Sequence, residues 1–93
     1  MATEVIKKDG VREPFDPQKV KNGITAACAE AGLDEERTNQ VVEEVYMAVM
    51  AMADSLPVVE AKSIKEKILS ELDRVEPLAS AAWRKHEAGK SQG

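Results

Sequence analysis

The sequence predicts an α+β fold: four helices forming a bundle, capped by a small three-stranded sheet made from an N-terminal hairpin and one short strand. Three observations predict it. An Asp9-Gly10 pair stands between two short, partly apolar runs, a strong local signal for a hairpin because its turn needs positive φ. From Asp16 onward apolar residues recur at helical spacing in four stretches separated by Gly, Asp-cap and Pro signals. One short β-branched run, Val58-Val59-Glu60, interrupts them after Pro57 and can join the hairpin as a third strand, since an isolated hairpin is marginal.

Taken in order, Thr3 to Lys8 reads as the first strand and Val11 to Phe15 as the second. A two-residue loop would put Lys8 opposite Val11, Lys7 opposite Arg12 and Ile6 opposite Glu13, and a bulge would shift each pairing by one residue. Like charges directly opposite are unfavourable, so a Lys7–Arg12 pair points to an anion nearby. The plainer reading is a solvated edge hairpin whose lysines discourage aggregation. Asp16-Pro17 starts the first helix with a side-chain acceptor and a proline at its first position. Val20, Ile24, Ala27, Cys28 and Ala31 form one stripe along it, Gly23 offers close packing, and Gly32 supplies a left-handed stop.

Asp34 caps a second helix, with Glu35 and Glu36 in its first turn. Its apolar face of Val41, Val42, Val45, Tyr46, Val49, Met50 and Met52 runs to about Asp54, and the methionines read as core before they read as a binding surface. Ser55-Leu56-Pro57 breaks the pattern. A third helix spans about Lys62 to Val75 and buries Ile64, Ile68, Leu69 and Leu72. A fourth spans Pro77 to about Glu87, with Leu78, Ala81, Ala82 and Trp83 inward. The 93 residues fit one domain with a core over about 3–87, and the polar tail 88–93 is expected to be disordered.

Composition narrows the function. A net charge of −4 argues against general nucleic-acid binding, so no direct contact with nucleic acid is expected. The charge is uneven: residues 1–22 carry five Lys/Arg against four Asp/Glu, whereas residues 23–93 carry eight against thirteen. The hairpin is the electropositive end. One cysteine, Cys28, allows no internal disulfide or zinc ribbon, and in its apolar stripe it reads as a small core residue. No apolar run approaches the about 18 residues that would span a membrane, and no signal peptide opens the chain, so a cytoplasmic location is expected. Gly89-Lys90-Ser91 echoes a phosphate loop, but Arg84 stands where that motif needs glycine. His86 lies on a charged helical end without a second ligand. No nucleophile–base set suggests catalysis.

Lys7, Lys8, Arg12 and Lys19 gather on the hairpin and the helix start behind it, a candidate anion site. The pattern Val5-x-Lys7-Lys8-Asp9-Gly10-x-x-Glu13-x-Phe15-x-x-x-Lys19-Val20 resembles the opening of the ATP-cone domain, the regulatory nucleotide-binding module of many ribonucleotide reductases and of their transcriptional repressor. The resemblance extends over roughly residues 3 to 87. It implies a helical bundle capped by a three-stranded sheet, with the nucleotide between sheet and helices. It implies that Lys7, Lys8 and Lys19 neutralise phosphates, with Lys65 as a fourth cation, and that Glu13 accepts from the adenine amino group. Val5, Phe15 and Val20 would then supply apolar contact with the base. The family's third helix usually starts on a Thr or Ser cap, where Ala61 is expected here, a departure at the far wall of the pocket.

The resemblance therefore implies a free-standing, non-enzymatic module that binds ATP or dATP, with or without Mg2+. It would act on ribonucleotide reductase or another regulated protein, and switch its own oligomeric state with nucleotide. The alternative is a degenerate ATP-cone that serves as a protein-interaction module without nucleotide. An ATP-hydrolysing enzyme lacks a recognisable metal-binding acidic pair and a positioned base.

Overall fold

In the computed structural model, which describes residues 3–90, β1 (Glu4–Ile6) and β2 (Arg12–Pro14) form the hairpin, and β3 (Val58–Glu60) lies on the other side of β1. The helices are α1 (Pro17–Glu30), α2 (Glu35–Asp54), α3 (Ala61–Val75) and α4 (Pro77–Lys90). Each helix packs against two others, so α1, α2, α3 and α4 close a ring around one core. The α+β architecture is the one the sequence predicts.

The hairpin differs from the two-residue expectation. Its loop is Lys8-Asp9-Gly10: Gly10 has φ +87° and donates to the Lys7 carbonyl at 2.9 Å, while the Lys7 amide donates to the Val11 carbonyl at 2.8 Å. Asp9 Oδ1 accepts from the Val11 amide at 3.0 Å, the side-chain turn that lets a third residue enter the loop. The extra residue shifts the register, so Glu4 faces Pro14, Val5 faces Glu13 and Ile6 faces Arg12. The expected Lys7–Arg12 juxtaposition does not occur, and the inference drawn from it falls. Both strands are also shorter than expected, three residues each.

The caps follow the chemistry. Asp16 Oδ1 accepts from the Gln18 amide at 3.0 Å ahead of α1, and Asp34 Oδ1 from the Arg37 amide at 2.7 Å ahead of α2. Gly32, at φ +83°, turns the chain between them. Ahead of α3 the cap residue is Glu60, whose side chain makes no capping bond; Ala61 is the first helical residue rather than the cap.

The core consists of Val20, Ile24 and Cys28 from α1, Val41, Val45, Val49 and Ala53 from α2, Val59 from β3, Ile64, Ile68 and Leu72 from α3, and Ala79 from α4. Ile24 and Leu72 are fully buried, each stabilising the fold by about 1.5–3 kcal/mol relative to an exposed position. Leu69 is only half-buried. The inward face of α4 also departs from expectation. Leu78 is 62% exposed and Ala81 is exposed, while Ala79 and Ser80 point in. Ser80 is tolerated there because its Oγ donates to the Pro77 carbonyl at 2.9 Å. The helix also runs past Glu87, so the start of the expected disordered tail is helical; residues 91–93 of that tail lie outside the described residues.

Gly23 of α1 lies against Trp83 of α4. A β-carbon there would stand 3.1 Å from the Trp83 ring. Across α3 and α4, Arg84 donates two bonds of 2.8 Å to the two oxygens of Asp73.

Candidate functional site

The sheet sorts its side chains by face. Glu13, Val5 and Val59 stand in one row across β2, β1 and β3. Directly paired residues share a face, and Val59 is 1% exposed with Val5 packed against the core, so the row looks toward the bundle. Lys7, two residues beyond Val5, joins this side: its Nζ lies 3.4 Å from Glu13 Oε1. Arg12 pairs with Glu4 at 3.5 Å among residues of the alternate set. Arg12 therefore leaves the cluster that the sequence suggested.

Two helices begin beside this sheet, α1 two residues after β2 and α3 directly after β3. Neither has an acidic residue in its first turn, whereas α2, which starts away from the sheet, has Glu35 and Glu36. The positive ends of α1 and α3 are left without first-turn carboxylates on the side where the lysines collect.

The residues singled out in the sequence occupy distinct places. Val20 is part of the core, and Phe15, between β2 and α1, is half-buried against it. Lys8 is exposed in the hairpin loop, and Lys19 is exposed at the third position of α1. Among the described residues neither forms a salt bridge. Lys65 is exposed on α3 and does have a partner: its Nζ lies 3.4 Å from Glu87 Oε2 on α4. Lys7 and Lys65 thus have carboxylate partners within the fold, and among the described residues Lys8 and Lys19 do not.

Two recesses differ in character. One is a shallow, open depression of about 500 Å³ beside Lys7, Lys8 and Asp9. The other, about 180 Å³, is better enclosed and lies between α1 and α4, lined by Gly23, Ala26, Glu30, Trp83, His86 and Glu87. The second was not anticipated; its signal was the pairing of a helical glycine with the only tryptophan. It is smaller than the roughly 300–1,000 Å³ of ordinary ligand pockets. The hairpin depression is open to solvent and is lined, among the described residues, by Lys7, Lys8 and Asp9 alone. Trp83 Nε1 is buried without a hydrogen-bond partner among the described residues. Cys28 is fully buried, and that burial pushes its thiol pKa up, which suits a core residue rather than a nucleophile.

A capping sheet over a four-helix ring is the architecture that the resemblance to ATP-cone domains implies, and sequence comparison agrees. The ATP cone domain family model matches residues 3–85, and the chain belongs to that family. Among curated proteins, the transcriptional repressor NrdR of Thermotoga neapolitana is 35% identical over 75 residues, covering 81% of this chain and 47% of the relative. That of Lactobacillus delbrueckii subsp. bulgaricus is 33% identical over the same length and shares. That of Chloroflexus aggregans is 45% identical over 47 residues, half of this chain and 27% of the relative. The chain spans about half the length of the first two repressors, or less for the third.

These relatives overturn one expectation. Repressors of transcription act at DNA, so the absence of direct nucleic-acid binding cannot be read from a net charge of −4. Net charge sums the entire chain, and a local surface of opposite sign is invisible in the sum. Among the described residues, no helix is long and apolar enough to cross a membrane.

Proposed function

We propose that this domain binds ATP or dATP between the sheet and the first turns of α1 and α3, and transmits occupancy to a regulated protein without chemistry of its own. The row Glu13–Val5–Val59, facing the bundle beside Lys7, is the observation that carries the reading. On that face Glu13 offers an acceptor and the half-buried Val5 an apolar contact, with Val59 committed to the core behind them, in keeping with apolar pocket walls that carry few polar groups. Glu13 would accept from the adenine amino group, with Val5, Phe15 and Val20 as the apolar wall. Lys7, Lys8, Lys19 and Lys65 would meet the phosphates. Mg2+, where it accompanies the nucleotide, would be carried chiefly by phosphate oxygens.

The repressor relatives favour transcriptional control as the output, with ribonucleotide reductase as the alternative target, and nucleotide-dependent self-association as a means. Calorimetry with ATP, dATP, AMP and GTP tests the binding step. Saturable binding of ATP or dATP that exceeds AMP and GTP supports the reading; no binding of any of them removes it. A second reading, an interaction module without nucleotide, draws on the pairing of Lys7 with Glu13 and Lys65 with Glu87, since a domain that neutralises its own cations needs no anion.

A further inference from the structure

We infer that the Lys65–Glu87 ion pair is a latch which a bound phosphate opens, so that α4 registers occupancy. The inference rests on the nucleotide reading and adds to it a route from the ligand to a particular helix. Lys65 stands on the second turn of α3, the helix that continues directly from β3, and its ammonium is 3.4 Å from Glu87 Oε2 on α4. The lysine side chain is 53% exposed and that of Glu87 is 28% exposed, so the lysine end is open to an arriving anion.

One ammonium cannot fully serve a carboxylate and a phosphate together, and the phosphate carries the greater charge. Recruitment of Lys65 leaves Glu87 without its partner on the wall of the groove between α1 and α4. Glu30 lines that same groove from the other helix. While Lys65 holds Glu87, α4 is tied to the second turn of α3; once Lys65 turns to the ligand, that tie is gone. The end of α4 is then free to shift along the groove, and Trp83, one turn before Glu87 and packed over Gly23, moves with it. Glu87 is a positioning residue here, since it touches no ligand.

The experiment titrates the full chain with ATP and, separately, with inorganic triphosphate, reading affinity by calorimetry and the emission of the single tryptophan, Trp83. The parent should bind ATP and change its emission. Glu87→Gln should bind about two- to fivefold more tightly, the range of an exposed ion pair no longer competing for the lysine, and should lose most of the emission change. A merely structural glutamate would weaken binding when replaced. The exchange Lys65→Glu with Glu87→Lys, which restores a pair of reversed polarity, should fold like the parent and bind triphosphate more weakly. If the parent binds ATP while Glu87→Gln binds no more tightly, or keeps the full emission change, the latch is wrong and the nucleotide reading stands. If the parent binds neither ligand, both fall.

Discussion

Lys19 opposes the helix that carries it. As the third residue of α1, behind the Asp16 cap, it puts a cation at the positive end of the helix, unfavourable by roughly 0.3–1 kcal/mol before solvent screening. Glu or Gln there would complete a capping box. A phosphate nearby would reverse the sign. Lys19→Gln is therefore expected to leave the ligand-free domain equally or slightly more stable in thermal melts, while calorimetric ATP affinity falls about tenfold, equivalent to about 1.4 kcal/mol. Unchanged ATP affinity would move the anion site elsewhere. Glu13 is the matching residue for the base. Glu13→Ala should narrow the preference for ATP over GTP without unfolding the protein, because its side chain is 41% exposed on a hairpin. Its pairing with Lys7 adds a second expectation: Glu13→Gln, which frees that lysine for phosphate, should hold GTP at least as tightly as the parent does. Competition binding with the two nucleotides reads both.

At the scale of elements, α3 and α4 are clipped by the Asp73–Arg84 fork. The Arg84 hydrogen bonds, followed by that of Ser80, hold the Asp73 carboxyl well below the usual carboxylate range. A depressed folded-state pKa contributes stability above the unfolded value of about 3.9 and loses it as pH falls through the folded value. The melting-temperature gap between parent and Asp73→Asn should therefore be widest near neutrality and close progressively below about pH 4. A gap unchanged down to pH 2 would show that it does not come from the ionised Asp73–Arg84 pair.

Most element ends were legible because single residues dictate them: Asp16-Pro17, Gly32-Leu33-Asp34 and Glu76-Pro77 each mark a boundary seen in the structure. Two features were not. Asp-Gly suits a two-residue loop and a three-residue one, and the choice rested on the Asp9 side chain reaching the Val11 amide. On α4, Leu78, Ala79, Ser80 and Ala81 differ too little in hydrophobicity to set the helical phase. The tight seat of Trp83 over Gly23, a tertiary contact, accompanies a phase that leaves Leu78 outside. The cationic members of the candidate site were visible as residue types, but their internal partners were not, since Glu87 lies far from Lys65 in sequence and only the fold joins them.

Across the molecule, charge is distributed by region rather than averaged. The rest of the chain carries the acidic excess and residues 1–22 a cationic excess of one. If that excess serves phosphates, ATP should bind more tightly than AMP at low salt, and the ratio should shrink as ionic strength rises toward 1 M, where the Debye length falls to about 3 Å. Equal affinities at every salt concentration would reduce the lysines to a solvated surface.

The parallel pairing of β1 with β3 has a consequence for the order of folding. Glu4 meets Val58 only after two helices have been traversed, so the third strand closes a loop of about fifty residues, at an entropic cost near 3.5 kcal/mol from chain length alone. The hairpin and the neighbouring helix pairs close far shorter loops, and contacts of that kind form first. The central strand is thus completed late, by Val59 entering the core. Val59→Ala should accelerate unfolding while leaving the refolding rate nearly unchanged in a chevron measurement. The face that carries Glu13, Val5 and Val59 together then exists only in the finished fold, and a partly folded chain holds no version of it for a ligand to find.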